Sequence, residues 1–224
     1  MRQIATPTAA ADGDERRRRI QAGPAPFGKP DRSAWAWAGA VGLLAFAVRL
    51  HGLGDKPFWL DEVATLHRVT IPLPDVIASS LHADHSPSYF LLIWLVAKFG
   101  ASQWLLRLPS ALFGAVAASL AFALGRSVAD WRSGTVAGLL MALSPFEVQF
   151  GQEARSYTLV SCLILTSLWG LVRLARDPAA AAIPLRAPGA RRGAWLAYGL
   201  GMAAALDVLN VAIPWFVAAN LGAI

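Results

Sequence analysis

Long apolar runs without charge alternate with short polar segments along most of the chain. Six windows contain no Asp, Glu, Lys or Arg: 33–48, 108–125, 133–146, 156–172, 193–206 and 208–224. A bilayer core of about 30 Å requires roughly 20 apolar residues per helix, so the shorter windows need flanking polar residues to cross it. The pattern predicts an all-α, polytopic transmembrane protein with about six spanning helices.

Basic residues between these windows indicate which side of the membrane each connection faces. The connections 126–133 and 173–192 contain seven arginines against two aspartates, so the positive-inside rule makes both cytoplasmic. Segment 1–32, rich in Arg, Ala and Pro, is predicted to be a disordered basic cytoplasmic tail. Segment 51–103 is then the first external loop. Its apolar stretch 88–97 is predicted to be an interfacial helix, because no further crossing fits there.

Composition supports the bilayer as the solvent. Of the 224 residues 56% are hydrophobic and 15% charged, whereas soluble domains have about 25% charged residues. The net charge of +6 does not indicate a nucleic-acid partner, because the arginines are dispersed among the tail and the cytoplasmic connections. The single cysteine, Cys162, excludes an intrachain disulfide. Since the sequence stops within an apolar run, we expect 33–224 to be a transmembrane module that is incomplete at its C-terminal end.

Two adjacent carboxylates in the first external loop are candidates for chemistry. Asp61 and Glu62 follow the aromatic pair Phe58-Trp59. Partial burial there can raise the pKa of a carboxylate and make it a general base. The alternative is that Asp61 caps a following surface helix, with Glu62 in its first turn, where acidic side chains are favourable.

A second polar cluster in the same loop contains His82, Asp84 and His85. Imidazole and carboxylate groups can bind a divalent ion, and protonated histidine can bind phosphate. The alternative is a polar turn that caps the interfacial helix, which is predicted to start near Pro87. Far along the chain, Asp207 is costly within an apolar run and is interpreted as part of a short external turn with Asn210.

A third polar cluster separates two apolar windows on the external side. It contains Gln152, Glu153, Arg155 and Tyr157, and Arg107 enters its own apolar window at the same level. A guanidinium such as that of Arg155 can bind phosphate through two hydrogen bonds. The alternative is that these charges only terminate the helices and extend toward water.

Five short motifs occur in a fixed order between residues 59 and 157. They are Trp59-Leu60-Asp61-Glu62, His85-Ser86-Pro87-Ser88-Tyr89-Phe90, Arg107-Leu108-Pro109-Ser110-Ala111-Leu112-Phe113-Gly114, Ala142-Leu143-Ser144-Pro145 and Gln152-Glu153-Ala154-Arg155-Ser156-Tyr157. In this order they resemble the integral-membrane glycosyltransferases of the C superfamily. They are most similar to the protein O-mannosyltransferase and aminoarabinose-transferase relatives, and the resemblance covers the N-terminal catalytic module.

The resemblance implies an enzyme of the non-cytoplasmic membrane face. Such enzymes transfer a sugar from a polyprenyl-phosphate donor to a protein, lipid or glycan acceptor, usually with inversion at the anomeric carbon. We therefore expect membrane lipids as surroundings and a bacterial cell membrane as the location. Some members of the superfamily need a divalent metal ion and others do not, so the cofactor stays open.

The resemblance also implies roles for individual residues. Asp61 corresponds to an essential aspartate of the first external loop and would be the catalytic base, with Glu62 beside it. His85 belongs to a His-Pro-Pro element in which Ser86 replaces the first proline. Arg155 would face the donor phosphate. The expected substrate-binding residues are His85, Arg107, Glu153, Arg155 and Tyr157.

Two alternatives from other classes stay open. A transporter of lipid-linked solutes would also gather charge at membrane level, but it would place polar groups near the midplane of broken helices. Windows 108–125 and 156–172 contain no charge, which disfavours a transporter. The second alternative is a truncated, non-catalytic homologue.

Overall fold

The computed structural model describes residues 32–82, 86–176, 189–209 and 212–221, and all regular structure in these ranges is helical. The helices are α1 (Arg32–Leu50), α2 (Leu60–Thr70), α3 (Leu73–His82), α4 (Pro87–Ala97), α5 (Gln103–Val128), α6 (Trp131–Leu143), α7 (Pro145–Gly151), α8 (Tyr157–Ala175), α9 (Gly189–Val208) and α10 (Ile213–Leu221). The all-α prediction is confirmed for this part of the chain. Nearly all of the predicted tail, together with Asp84, His85 and Asn210, lies outside the described residues.

Three of these helices are long and apolar enough to span a bilayer, namely α1, α5 and α8. They coincide with the predicted windows 33–48, 108–125 and 156–172. The other three windows fall on α6, α9 and α10. Within the described residues α6 and α10 are too short to span, and α9 has 20 residues but is not apolar enough. The count of about six spanning helices is therefore supported for three, and stays a prediction for the rest.

The window 133–146 is shorter as a helix than its apolar pattern suggests, because Pro145 interrupts it. Proline disfavours helical backbone in the residue before it, and Ser144 accordingly has an extended ψ of 124°. α6 ends at Leu143, and the separate helix α7 begins with Pro145 at its first position. This break turns the chain toward the polar cluster at 152–157.

Three short helices, α2, α3 and α4, occupy the predicted external loop 51–103. α4 is apolar but has only 11 residues, which gives a length of about 16 Å. That length is roughly half of a bilayer core, so α4 cannot cross a membrane alone. Its length agrees with the predicted interfacial placement.

The bundle has one end rich in arginine and aromatic side chains. There the guanidinium of Arg176, which follows α8, donates hydrogen bonds to the carbonyls of Ser127 and Val128 at the end of α5. Arg126 lies over the ring of Trp131, and Trp131 contacts Trp37 edge to face with 5.9 Å between ring centroids. These contacts join α1, α5, α6 and α8 at the end where the sequence places the basic connections.

The opposite end contains the end of α1, the connection 51–59, α7 and the start of α8. Arg49 is fully buried there, and its guanidinium donates to the carbonyls of Met141 and Ala142 at 3.1 and 3.2 Å. It thereby satisfies carbonyls at the C-terminal end of α6 that have no partner within that helix. Gly151 makes the room for this, because a Cβ atom at that position would lie 2.5 Å from Nε of Arg49.

Candidate active site

The predicted carboxylate pair lies in the first turn of α2, which begins at Leu60. The helix start is therefore as the alternative predicted for Glu62, which lies in the first turn, where acidic side chains interact favourably with the helix dipole. The predicted cap at Asp61 is wrong, because Trp59 is the N-cap and Asp61 lies inside the first turn. The two side chains nevertheless differ in environment. Glu62 is 1% exposed as a residue, whereas the Asp61 side chain is 42% exposed.

Glu62 forms a buried ion pair with Arg107 of α5. Arg107 Nε donates to one carboxylate oxygen at 2.8 Å, and Nη2 donates to the other at 2.7 Å. Nη1 donates to the carbonyls of Leu53 and Lys56, and Nη2 also donates to the carbonyl of Pro57. All five N–H groups of Arg107 are thus used by the protein itself.

The Glu62 carboxylate also connects the loop to the third polar cluster. It accepts hydrogen bonds from the backbone N–H groups of Ala154 at 2.8 Å and Trp59 at 3.4 Å. With Arg107 it therefore joins the connection 51–59, the start of α2, α5 and the residues before α8. The expected catalytic role of Glu62 and the expected substrate contact of Arg107 would require this pair to open, because neither side chain has an unused group of its own.

Asp61 and Arg155 are the neighbouring pair that stays accessible. Nη2 of Arg155 lies 3.8 Å from Oδ2 of Asp61, and their side chains are 21% and 42% exposed. That separation is too long for a hydrogen bond, so both groups can still bind a ligand. The backbone of Arg155 is well held, because its N–H donates to the carbonyl of Glu153 and its carbonyl accepts from Ser110 Oγ.

Aromatic and cationic groups surround this pair. The Arg155 guanidinium carbon is 5.7 Å from the centre of the Tyr157 ring, which brings the two predicted substrate-binding residues together. Arg68 was not predicted as a site residue, but it lies seven positions after Asp61 on α2, and therefore on the same face. Partial burial lowers the pKa of Arg68, and the positive charge of Arg155 lowers it further. A cationic site with one accessible carboxylate results.

Arg68 is held by α4, where its guanidinium carbon lies 4.4 Å from the centre of the Phe90 ring. Cation–π contacts of this kind leave the edge of the guanidinium free for an anion. In the sequence, Arg68 could have been recognised as a site residue by its separation of two helical turns from Asp61. Because the start of the helix was not known, that separation could not be distinguished from a chance spacing.

Glu153 precedes Ala154, whose N–H group bonds to Glu62, and is 8% exposed. Its Oε1 accepts a hydrogen bond from Gln149 at 3.3 Å, and its Oε2 is buried without a partner among the described residues. Burial raises the pKa of this carboxyl, and nearby Glu62 raises it further, while Gln149 and the arginines at 107 and 155 lower it. Glu153 therefore has the environment of a functional carboxyl rather than that of a solvated charge.

The histidine cluster is only partly described. His82 ends α3 as an exposed side chain, with Nδ1 2.6 Å from the carbonyl of Ala78, and His85 lies outside the described residues. Ser86 is the N-terminal cap of α4 and accepts a hydrogen bond from the N–H of Ser88. The cap predicted near Pro87 is therefore confirmed.

Asp207 lies in the last turn of α9 rather than in the predicted external turn. Its carboxylate accepts hydrogen bonds from the hydroxyls of Ser86 and Ser88. These bonds connect the end of α9 to the start of α4, so a charge that is costly in an apolar run has partners. In the described ranges, no group of three or more His, Cys, Asp and Glu side chains could hold a metal ion.

The described part thus has apolar helices of spanning length and, at one end, an accessible carboxylate and arginine beside a buried ion pair. Comparison with protein families agrees with this class of membrane protein. Residues 84–220, more than half of the chain, match the model of the dolichyl-phosphate-mannose-protein mannosyltransferase family. The chain belongs to this family, which confirms the resemblance inferred from the sequence. Comparisons with curated proteins and with solved structures gave no match.

Membership in the family makes membrane glycosyltransfer from a lipid-linked sugar the general activity. The matched range includes Arg107, Glu153, Arg155 and Tyr157, whereas Asp61 precedes it. The role of Asp61 therefore depends on its position in the structure and not on the family match.

Proposed function

We propose that the chain transfers a sugar from a polyprenyl-phosphate donor to an acceptor hydroxyl on the non-cytoplasmic face, with inversion and with Asp61 as the base. The observation that carries this proposal is the accessible pair of Asp61 and Arg155, 3.8 Å apart. At this spacing the base can act on the attacking hydroxyl while the cation acts on the leaving phosphate of the same displacement reaction. The acceptor is a protein, lipid or glycan hydroxyl.

In the proposed step the acceptor oxygen attacks the anomeric carbon of the donor sugar. Asp61 takes the hydroxyl proton as the new C–O bond forms. The bond between the anomeric carbon and the phosphate oxygen breaks, and its electron pair leaves with the polyprenyl phosphate. Arg155 stabilises the charge that develops on this leaving group, so no acid is needed there.

Two further features support this division of roles. Arg68 and Arg155 interact electrostatically as like charges, and an anionic ligand between them would relieve that repulsion. The buried pair of Glu62 and Arg107 acts as a positioning device, because it holds both the start of α2 and the backbone at Ala154. Asp61 and Arg155 are each one residue away from those anchored positions. His85 and Tyr157 remain proposed substrate contacts.

The membrane placement of the site follows from charge. The end of the bundle opposite Asp61 holds Arg126 and Arg176 and the basic connections 126–133 and 173–192, and the positive-inside rule assigns that end to the cytoplasm. We therefore propose an integral protein of the bacterial cell membrane, with about six spans, a cytoplasmic N-terminus and an external site. A divalent metal ion stays an open question.

Cysteine labelling tests this orientation. We expect Ser79→Cys on α3 to react with an impermeant thiol reagent added to intact cells, because α3 lies in the external loop. Arg132→Cys, at the exposed start of α6, should react only after the membrane is permeabilised. Both changes are made with the native Cys162 replaced by alanine. Labelling in the opposite sense would reverse the orientation and remove the proposed site from the external face.

Arg155→Ala tests the proposed contact with the donor phosphate. Loss of a hydrogen bond to a charged group costs about 1.5–3 kcal/mol, so we expect the KM for the donor to rise roughly 10- to 100-fold. Transfer of radiolabelled sugar from polyprenyl-phosphate donors is measured at several donor concentrations. Arg132→Ala, at the opposite end of the bundle, is the matched control. An unchanged donor KM in Arg155→Ala would refute the contact.

A further inference from the structure

Two of the five motifs contain buried residues that the proposed step does not use. Tyr89 and Phe90 end the motif at 85–90, and Ser110 lies in the motif at 107–114. Their exposed fractions are only 3%, 4% and 1%. They have too little surface to contact a substrate, but each is connected to an arginine of the candidate site.

Ser110 fixes the backbone of Arg155. Its Oγ donates to the Arg155 carbonyl at 3.1 Å, and this bond joins α5 to the residues before α8. A buried hydroxyl that holds the backbone of a functional residue limits where the side chain of that residue can reach. Ser110 therefore helps to set the position of the Arg155 guanidinium.

Tyr89 connects α4 to this bond. Its hydroxyl is buried beside that of Ser110 without a well-formed hydrogen bond to any described group. Burial raises the pKa of Tyr89, and the Ser110 hydroxyl and the positive charge of Arg155 lower it. Tyr89 thus lies within electrostatic range of Arg155, and Ser110 is the contact through which it can act on that residue.

Phe90, the next residue of α4, holds the other arginine. Its ring centre is 4.4 Å from the guanidinium carbon of Arg68. Successive residues of an α-helix point about 100° apart, so the single helix α4 reaches α2 with one ring and α5 with the other. The two rings contact each other edge to face, with 5.8 Å between their centroids, which restricts the motion of both.

The two arginines need such a support because their like charges repel. The charge of Arg155 disfavours the charged form of Arg68, so the two guanidiniums would separate if nothing held them. We infer that α4 positions both guanidiniums for one phosphate group, through Phe90 on one side and through Tyr89 and Ser110 on the other. The inference rests on the proposed function, since the phosphate is that of the donor lipid.

Binding measurements on the purified full chain in lipid nanodiscs test this inference. The probes are polyprenyl phosphate and the uncharged polyprenol, and we expect the unmodified chain to bind the phosphate more tightly. Ser110→Ala should weaken binding of the phosphate about 3- to 10-fold, the effect of one lost hydrogen bond. Tyr89→Phe and Phe90→Leu should each weaken it roughly threefold. Binding of polyprenol should not change, whereas a general loss of structure would weaken both lipids.

Double-mutant cycles test whether these residues act through the arginines. Ser110→Ala and Tyr89→Phe are each combined with Arg155→Ala, and Phe90→Leu is combined with Arg68→Ala. A residue that acts only by positioning an arginine has no further effect once that arginine is removed. We therefore expect each double variant to bind polyprenyl phosphate as weakly as the arginine variant alone.

The chain offers a matched control for each kind of contact. Ser167 is also a buried serine, and its Oγ donates to the Tyr198 carbonyl at 3.0 Å. The guanidinium carbon of Arg173 lies 4.6 Å from the centre of the Trp169 ring, as that of Arg68 lies over Phe90. Ser167→Ala and Trp169→Leu should leave the binding of both lipids unchanged.

Three results would overturn the inference while the proposed function stands. In the first, Arg155→Ala weakens binding of polyprenyl phosphate but Ser110→Ala and Tyr89→Phe do not. In the second, these two variants weaken both lipids equally, and in the third their effects persist without Arg155. Since each of them removes a single oxygen atom, the test does not depend on the folding of Phe90→Leu. If Arg155→Ala leaves phosphate binding unchanged, the inference and the proposed function fail together.

Discussion

Asp61→Asn is expected to reduce the rate of sugar transfer by about 100- to 10,000-fold, which is the usual contribution of a general base. The amide keeps the size of the side chain but cannot accept the proton of the acceptor hydroxyl. Because the Asp61 side chain is accessible and lies 3.8 Å from Arg155, too far for a hydrogen bond, the change should leave folding intact. The rate is measured with saturating polyprenyl-phosphate sugar.

Asp75→Asn is the matched control for this prediction. Asp75 lies in the first turn of α3, as Asp61 lies in that of α2, and it is exposed. Its replacement should leave the transfer rate within about twofold of the original, since exposed substitutions usually have small effects. Near-normal transfer by Asp61→Asn would show that another group is the base, and Glu153 would be the next candidate to test.

Arg107→Ala is expected to destabilise the fold by about 3–5 kcal/mol, the usual cost of leaving one partner of a buried ion pair alone. The change strands the Glu62 carboxylate and removes the donors for three backbone carbonyls. Stability is measured by unfolding in mixed detergent micelles, with helical circular dichroism as the signal. Activity should fall together with stability, because α2 loses its anchor.

Arg132→Ala, at an exposed position of α6, should change stability by no more than about 0.5 kcal/mol. The loss of stability in Glu62→Gln should lie between those of Arg107→Ala and Arg132→Ala, because the amide keeps the volume and some hydrogen bonds but loses the charge. If Arg107→Ala unfolds like Arg132→Ala yet loses donor binding, Arg107 would be a substrate ligand as the resemblance implied. The ion pair would then open during binding.

The accessible part of the site could be predicted from the sequence. Asp61 stood out because it follows an aromatic pair in the predicted external loop, and Arg155 because it precedes an apolar window. The order of motifs gave each an expected role. The structure places the two side chains together across 94 positions of sequence. Charge placement and parity of crossings predicted only that both residues face the same side of the membrane, since both depend on the pattern of whole segments rather than on side-chain contacts.

The buried part of the site could not be predicted. The pairing of Glu62 with Arg107 depends on α5 packing beside the connection 51–59, and three of the bonds involved go to backbone carbonyls. Carbonyls have no signal in the sequence, because every residue has one. The partnership of Asp207 with Ser86 and Ser88 was missed for a different reason, because it depends on where α9 ends in space.

The number of spanning helices could not be predicted from hydropathy alone, because local breaks interrupt the apolar windows. Hydropathy alone treated 133–146 as one window, whereas the helical part ends at Leu143. Pro145 was visible in the sequence and gives the reason. The extent of α10 could not be read in this way, because its nine described residues contain no charge and no break of this kind before Leu221.

The hydrogen bond from Ala154 to Glu62 has a consequence for biosynthesis. The two residues are 92 positions apart, and chains are synthesised at about 5–20 residues per second. Glu62 therefore leaves the ribosome roughly 5–18 s before the N–H group that completes its set of partners. During this interval the ion pair of Glu62 with Arg107, 45 positions later, can form, but the bond from Ala154 cannot. In the proposed orientation, a chaperone or protease at the outer face would meet this incompletely bonded loop in every newly made molecule.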